Sequence, residues 1–164
     1  PKEYKQFLLK RIEALNLKDN VIFHDYFPVH EDLFRQVLKS KVAVVPGITA
    51  IINGTVIEPT LLGLPVITYQ TTGTPYLNRE KECVLLAEIG DIKGLANNML
   101  KLMNDENYGQ MLAQNANEFV TRTFDNTTSA KRLVEDYKAV IAHFHNGTSI
   151  PEELLFDLNE FPKY

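Results

Sequence analysis

The positions of hydrophobic residues divide the chain into short apolar runs and longer segments with helical periodicity. The central stretch begins with an apolar run at 42–45, and a polar loop follows from Pro46 and Gly47. A short helical pattern and a second apolar run at 65–69 complete it. A strand, a loop, a helix and a strand in so few residues are typical of a βαβ unit, which builds parallel sheets. We therefore predict an α/β domain centred on this stretch.

Apolar runs on either side extend the predicted sheet. Residues 20–24 and 84–87 read as buried strands, and hydrophobic positions three or four apart predict amphipathic helices over 4–15 and 33–38. Strand 20–24 lacks the charges or prolines that protect a free edge, so we expect it to pair with strand 42–46 through a short right-handed connection. The predicted fold is a Rossmann-like parallel sheet of about four strands flanked by helices.

The C-terminal half reads as helical from Asp91 onward. Three stripes of hydrophobic residues recur at helical spacing, and such stripes more often form a core than a cofactor site. They are Ile92, Leu95, Met99 and Leu102, then Leu112, Ala116, Phe119 and Val120, then Leu133, Val134, Tyr137, Ile141 and Phe144. We predict one domain over 1–146, which begins within a helical pattern and so is expected to continue upstream. A tail over 147–164 follows, with a short amphipathic helix bearing Leu154, Leu155, Leu158 and Phe161.

Composition narrows the classes of function. The chain has 164 residues, 45% of them hydrophobic and 23% charged, and its net charge is -4, which fits a soluble globular domain. No basic cluster occurs, so nucleic-acid binding is not expected. A single cysteine, Cys83, excludes an internal disulfide and is interpreted as a small half-buried hydrophobe. With neither a signal peptide nor a membrane-spanning stretch, we expect a cytoplasmic location.

The sequence lacks the motifs of several kinds of catalytic and binding site. The four histidines do not combine with one another or with Cys83 at a strong metal-ligand spacing, so no metal site or cofactor is predicted. No G-x-S-x-G, Walker or G-x-G-x-x-G sequence occurs. No residue is therefore assigned a catalytic role.

The loop at 46–54 is the best candidate site, because ligands of open parallel sheets sit outside the carboxyl ends of the strands. Thr55 and Glu58 form a T-x-x-E pattern that predicts a capping box at the start of the next helix. The free amides and positive dipole at that helix end favour an anion. Glu58 has two readings, as the partner of Thr55 in the box or as the acceptor of hydrogen bonds from vicinal hydroxyls of a ligand.

The order of motifs resembles the C-terminal, donor-binding domain of group 1 glycosyltransferases with the GT-B fold. That family has a strand ending in Pro-Ser, then Glu-Gly-Phe-Gly, then a Leu-Glu-Ala helix, a Gly-x-Pro-Val-Ile strand and a Gly-Gly-x-Pro-Glu turn. The corresponding segments here are Pro46-Gly47, Gly54, Ile57-Glu58, Gly63-Leu64-Pro65-Val66-Ile67 and Gly73-Thr74-Pro75. The resemblance covers about residues 5–145.

The resemblance implies that domain 1–146 binds a nucleotide-diphosphate sugar. Glu58 would hold the ribose, and the backbone from Gly54 through Thr55 to Val56 would meet the diphosphate. The Pro46-Gly47 turn would belong to the same nucleotide site. The loop at Tyr26 and Phe27 would lie against the base. The implied partners are the nucleotide sugar and an N-terminal acceptor domain. Peripheral membrane association of the whole enzyme and self-association through a free sheet edge are further interactions to consider.

Two departures from the family pattern bear on activity. The donor-sugar loop reads Ala50-Ile51-Ile52-Asn53, so Ala50 stands where the family has a glutamate that serves the sugar, and Tyr76 replaces the last glutamate of the turn. The resemblance also implies that an Arg/Lys pair for the diphosphate lies upstream of Pro1. We expect a hexosyltransferase-like enzyme of which this chain alone is inactive. The alternative is a degenerate, non-catalytic domain that binds a nucleotide sugar or a protein.

Overall fold

The computed structural model describes residues 2–49 and 51–155. The chain divides into two units, Pro1–Leu33 and Phe34–Tyr164, which are described separately below. Leu158 and Phe161 of the predicted tail helix lie outside the described residues. Among those that are described, no helix is both long and apolar enough to cross a membrane.

The elements follow one another in the order expected for a parallel α/β protein with a helical C-terminal half. The helices are α1 (Lys2–Ala14), α2 (His30–Val37), α3 (Gly54–Leu61), α4 (Ile92–Asn104), α5 (Glu106–Thr123) and α6 (Asn126–Asn146). The strands are β1 (Ala43–Val45), β2 (Val66–Tyr69) and β3 (Val84–Ala87), and short 3-10 helices span Thr74–Asn78 and Glu152–Leu154.

The first unit contains α1 but not the strand predicted at 20–24, so that prediction is wrong. Residues 21–27 have no regular secondary structure, and Ile22 is 78% exposed. A strand is stable only when a neighbour satisfies its backbone hydrogen bonds. Apolar composition alone cannot specify that neighbour, so the sequence pattern was misleading here.

The second unit is built on a parallel sheet with the strand order β1-β2-β3. Ala43 lies opposite Val66, and Val66 lies opposite Val84. The described part of the chain therefore forms three strands rather than about four, and β1 is an edge strand. The expected pairing of 20–24 with β1 is wrong, whereas the βαβ unit and the strand at 84–87 are confirmed.

The two faces of the sheet carry two hydrophobic clusters, because successive strand residues point to opposite sides. Val66 and Val84 pack with the α5 residues Ala116, Phe119 and Val120 on one face. The other cluster joins the remaining sheet residues to α4 and the start of α5, and its buried members are Ile67, Tyr69, Leu85, Ala87, Leu95, Leu102 and Leu112. The α5 stripe is thus confirmed as core. Cys83 is fully buried rather than half-buried as predicted, and burial raises the pKa of its thiol.

The stripe on α6 is not part of the core, contrary to the prediction. The α6 residues Leu133, Val134, Tyr137, Ile141 and Phe144 are 49% to 82% exposed. The α4 stripe is divided, because Leu95 and Leu102 are buried whereas Ile92 is exposed. Helical periodicity identifies an apolar face correctly, but it does not say what covers that face.

The carboxyl end of α3 is fixed by a side chain from α5. The Asn117 amide nitrogen donates to the Thr60 carbonyl (3.2 Å) and to the Leu61 carbonyl (3.0 Å). These are among the last carbonyls of α3, beyond the regular bonds of the helix. The Thr60 carbonyl also accepts from the Gly63 amide (3.1 Å). Gly63, with φ at 78°, then turns the chain toward β2. Asn117 therefore holds α3 against α5 and sets where the following strand begins.

We predict that Asn117→Ala lowers the free energy of unfolding by about 1 kcal/mol, since the Leu61 carbonyl loses the Asn117 donor and the Thr60 carbonyl keeps only the Gly63 amide (3.1 Å). Gln114→Ala is the matched control, because the exposed Gln114 side chain donates to Glu118 on its own helix (3.0 Å). Urea denaturation measures both variants. Equal loss of stability in the two would contradict the role given to Asn117.

Candidate functional site

The candidate site lies where β1 and β2 end. The chain turns sharply after β1, with the Gly47 amide donating to the Val45 carbonyl (2.8 Å). The Thr68 hydroxyl of β2 donates to the same carbonyl (2.8 Å), which ties the ends of the two strands together. Because neighbouring parallel strands end at the same edge, the loops after β1 and β2 emerge side by side.

The start of α3 differs from the predicted capping box. Asn53 is the N-cap residue, and its side chain makes no capping hydrogen bond. Thr55 is the second residue of the helix, and its hydroxyl donates to the Asn53 side-chain oxygen. The T-x-x-E pattern misleads because the extended backbone needed at an N-cap occurs two residues earlier, at Asn53. Glu58 is therefore not the partner of an N-cap threonine.

Two backbone amides precede the hydrogen-bonded part of α3. The first bonds run from the Val56 amide (3.0 Å) and the Ile57 amide (3.2 Å) to the Asn53 carbonyl. The amides of Gly54 and Thr55 come before these bonds, at the end of the helix that carries the positive dipole. The Val56 side chain is buried in the core. Three residues were predicted to meet a diphosphate. The Val56 amide already donates to the Asn53 carbonyl, so Gly54 and Thr55 are the two whose amides precede the bonds of the helix.

Glu58 lies one turn into α3, and its side chain points back toward the helix start. A Cβ added at Gly54 would be 3.1 Å from a carboxylate oxygen of Glu58. This direction is the normal one for a helical side chain, which tilts toward the amino end. Glu58 is half-buried. The arrangement brings a carboxylate acceptor and the two amide donors to one end of the helix.

The threonine-rich turn after β2 is held by buried hydroxyl groups. The Thr74 hydroxyl donates to the Tyr69 carbonyl (2.8 Å) and accepts from the Thr71 amide (2.9 Å). Both threonines are nearly inaccessible to solvent. The turn is thereby fixed beside the β1 loop, although sequence reasoning gave these two hydroxyls no role. The sequence signal for this turn was the presence of two threonines three residues apart with Gly73 between them.

Tyr76, which replaces the family's glutamate, lies at an aromatic and cationic cluster. Its ring meets Phe119 edge-on, with ring centroids 5.8 Å apart. The Arg79 guanidinium stacks 4.7 Å from the centre of the Tyr76 ring and donates to its hydroxyl (3.1 Å). The positively charged Arg79 therefore lies beside Tyr76, at the position where the family pattern has a glutamate. Sequence reasoning missed Arg79, since nothing in the sequence paired it with Tyr76.

The predicted donor-sugar loop is mainly apolar. Ile51 is 76% exposed, whereas Ile52 packs against the same core cluster as Tyr76. Ala50 lies outside the described residues. An aliphatic side chain offers no hydrogen bond to a sugar hydroxyl. Polar side-chain contacts from this loop to a sugar would therefore have to come from Asn53, which is exposed.

The remaining predicted site residues belong to different parts of the chain. Pro46 is exposed and Gly47 half-buried at the turn after β1. Tyr26 and Phe27 belong to the first unit, where Tyr26 is 88% exposed. Over 2–49 and 51–155, no group of three or more histidine, cysteine, aspartate or glutamate residues is placed to hold a metal ion.

Comparison with models of protein families shows which family the chain belongs to. The model described as "Glycosyl transferases group 1" matches residues 2–119, which is more than half of the sequence. The chain belongs to the group 1 glycosyltransferase family. No curated protein matches the chain significantly.

Solved structures share the fold of this group 1 glycosyltransferase chain. Sucrose-phosphate synthase from Thermosynechococcus elongatus is similar with a TM-score of 0.75 and 25% identity, over 85% of this chain and 35% of that one. Anabaena HepE in complex with UDP has a TM-score of 0.76 and 20% identity, over 84% and 37% of the two chains. The C-terminal domain of a group 1 family protein (LpcC) from Francisella tularensis has a TM-score of 0.68 and 17% identity, over 76% and 64%. The chain thus spans about a third of the first two proteins.

We predict that Gly54→Ala displaces the Glu58 carboxylate, because the new methyl group would stand 3.1 Å from its oxygen. The helix itself should not lose stability, since alanine is favoured over glycine within a helix by about 0.5–1 kcal/mol. Gly47→Ala is the matched control, because a Cβ there has no neighbour within 4 Å. The ¹³C chemical shift of the Glu58 carboxyl group measures both variants. An unchanged shift in Gly54→Ala would contradict the position assigned to Glu58.

Proposed function

We propose that the chain is the donor-binding part of a group 1 glycosyltransferase and binds a nucleotide-diphosphate sugar. The observation that carries this proposal is the position of the Glu58 carboxylate beside Gly54, at the start of α3 and at the carboxyl edge of the sheet. A carboxylate in such a place is suited to accept hydrogen bonds from the vicinal hydroxyls of a ribose. Family membership over residues 2–119 supports the reaction class.

The amides of Gly54 and Thr55 are proposed to bind the diphosphate. They precede the first hydrogen bonds of α3 and point out of its positive end, where an anion needs no additional cation. UDP in the HepE structure supports a nucleoside diphosphate as the ligand class.

The proposed reaction transfers a hexose-like sugar to an acceptor oxygen. The bond between the anomeric carbon and the diphosphate oxygen breaks, and the diphosphate leaves with the electron pair. The oxygen of an acceptor hydroxyl forms the new bond to the anomeric carbon, and its proton passes to the departing diphosphate. Donors at the start of α3 would stabilise the negative charge that develops on the leaving group. The acceptor is proposed to bind an N-terminal domain outside this chain. The 164 residues alone are therefore expected to be inactive. We propose that the complete enzyme works in the cytoplasm and contacts the membrane only peripherally.

A second candidate function is a non-catalytic domain that binds a nucleotide sugar or a protein. The apolar loop favours it, since the exposed Ile51 and the core-packed Ile52 offer the sugar no hydrogen bonds. A protein-binding domain has no site for the sugar, so this form of the second candidate differs from the enzyme in how much the sugar adds to binding. A sugar conjugate that binds more than tenfold tighter than its nucleoside diphosphate, worth about 1.4 kcal/mol, would favour the enzyme. Equal affinities would favour the second candidate.

We predict that Glu58→Gln weakens the binding of a nucleoside diphosphate by about 1–3 kcal/mol, since the ribose loses a charged hydrogen-bond acceptor. Calorimetric titration with nucleoside diphosphates of different bases measures the change. Glu106→Gln is the matched control. Glu106 begins α5, whose Gly109 lies near Pro65 at the amino end of β2, on the edge opposite the site. Its variant should bind as the wild type does. Equal affinity for Glu58→Gln and the wild type would exclude the ribose role.

A further inference from the structure

The chain contains two Asn-Gly pairs, and each is followed by a threonine. Asn53 and Gly54 stand at the start of α3, whereas Asn146 and Gly147 stand at the end of α6. An asparagine before a glycine is prone to lose its side-chain amide, because glycine has no Cβ to hinder attack by its own backbone nitrogen. Both asparagines are exposed. Since the two sites share the sequence Asn-Gly-Thr, a difference in their reactivity would come chiefly from the fold.

This loss, called deamidation, is an intramolecular substitution that needs no reagent besides water. The glycine nitrogen bonds to the side-chain carbonyl carbon (Cγ) of the asparagine, and the bond from Cγ to the amide nitrogen breaks. The departing nitrogen keeps the electron pair and takes up the proton that the glycine nitrogen has lost, so ammonia leaves and a cyclic imide remains. Water then opens the ring at either carbonyl, which yields aspartate or isoaspartate. The rate therefore depends on how readily the glycine nitrogen loses its proton and on how strongly the asparagine carbonyl is polarised.

The two helix dipoles act in opposite directions on the two glycine nitrogens. The Gly54 amide precedes the first hydrogen bonds of α3, at the positive end of the helix, where the negative charge left by the lost proton is stabilised. The Gly147 amide lies at the negative end of α6 and donates to the His143 carbonyl (2.9 Å). Loss of its proton would break this bond and place a negative charge at the negative end of a dipole. The fold therefore makes Gly54 the more reactive of the two glycines.

The threonine after the first pair contacts the carbonyl that would be attacked. The Thr55 hydroxyl donates to the Asn53 side-chain oxygen. This bond stabilises the negative charge that develops on that oxygen as the ring forms. Asn53 has an extended backbone, with φ of -105° and ψ of 168°, and joins the loop to the helix, so rotation about its ψ moves the loop and leaves α3 folded. Asn146 is part of α6, where the same rotation would break the last turn.

We propose that Asn53 is a site of spontaneous deamidation and that the end of α6 protects Asn146 from the same reaction. The modification does not depend on the donor-binding function. An aspartate is as good an N-cap as an asparagine, so α3 keeps its start when aspartate is the product. The consequence for binding does rest on the proposed function, because the new carboxylate would repel a diphosphate at the amides of Gly54 and Thr55. Deamidation would then act as a slow, irreversible loss of donor binding.

Incubation of the 164-residue chain at neutral pH, followed by proteolysis and mass spectrometry, tests the modification. We expect aspartate and isoaspartate to accumulate about tenfold faster at Asn53 than at Asn146 in the folded chain, and at similar rates in urea, where the helices are lost. Thr55→Val should slow the reaction at Asn53 severalfold. Thr148→Val is the matched control and should leave the rate at Asn146 unchanged. Circular dichroism should give the same helix content for both variants and the wild type.

Equal rates at the two sites of the folded wild type, or a faster reaction at Asn146, would overturn the proposal whatever the variants do. A Thr55→Val variant that folds and reacts like the wild type would contradict the activation by the Thr55 hydroxyl.

Calorimetric titration with a nucleoside diphosphate tests the consequence for binding. Asn53→Asp carries the charge of the product, and Asn53→Ser is the matched control, because serine is an equally good N-cap without the charge. We expect Asn53→Asp to bind about tenfold more weakly than Asn53→Ser, through repulsion between the carboxylate and the diphosphate. Equal binding by the two variants would contradict the consequence. Failure of the wild type to bind would instead contradict the proposed function, and the rates of deamidation would still decide the modification.

Discussion

The parallel pairing of β1 and β2 is the constraint on which the candidate site depends. It brings the two strand ends to one edge of the sheet, where the Thr68 hydroxyl binds the last β1 carbonyl (2.8 Å). The chain must then return through α3, so the amino end of that helix lies at the same edge. Asn117 holds the opposite end of α3 against α5. The Gly54 and Thr55 amides, which precede the first hydrogen bonds of α3, and the Glu58 carboxylate therefore lie on one fixed helix.

The fold could be predicted for those segments whose residue pattern determines two things. One is which face of the helix or strand is apolar, and the other is which element packs against that face. The βαβ unit is of this kind, since two apolar runs joined by one short helix leave few alternatives. The run at 20–24 and the α6 stripe have no packing partner that the sequence determines. Each shows the apolar surface that a buried element needs, yet residues 21–27 form no strand and α6 has no buried residue. Periodicity is a property of one segment, whereas burial depends on a second one.

The candidate site could be located from sequence, but its contacts could not be derived. The edge of the sheet and the start of α3 followed from the order of elements. The capping box did not hold, because a motif of residue types does not say which backbone residue adopts the extended N-cap conformation, and Asn53 does so here. The contact between Arg79 and Tyr76 was missed because it forms within a 3-10 turn whose geometry the sequence does not display.

The most direct test of the account is a ¹H–¹⁵N NMR titration of the chain with nucleoside diphosphates. The central claim is that the diphosphate binds the first amides of α3. The account predicts that the Gly54 and Thr55 amides shift more than any others in the second unit, and that inorganic diphosphate alone shifts the same two. Perturbations centred instead on the amino ends of the strands, near Gly63 and Gly109, with Gly54 and Thr55 unchanged, would contradict it.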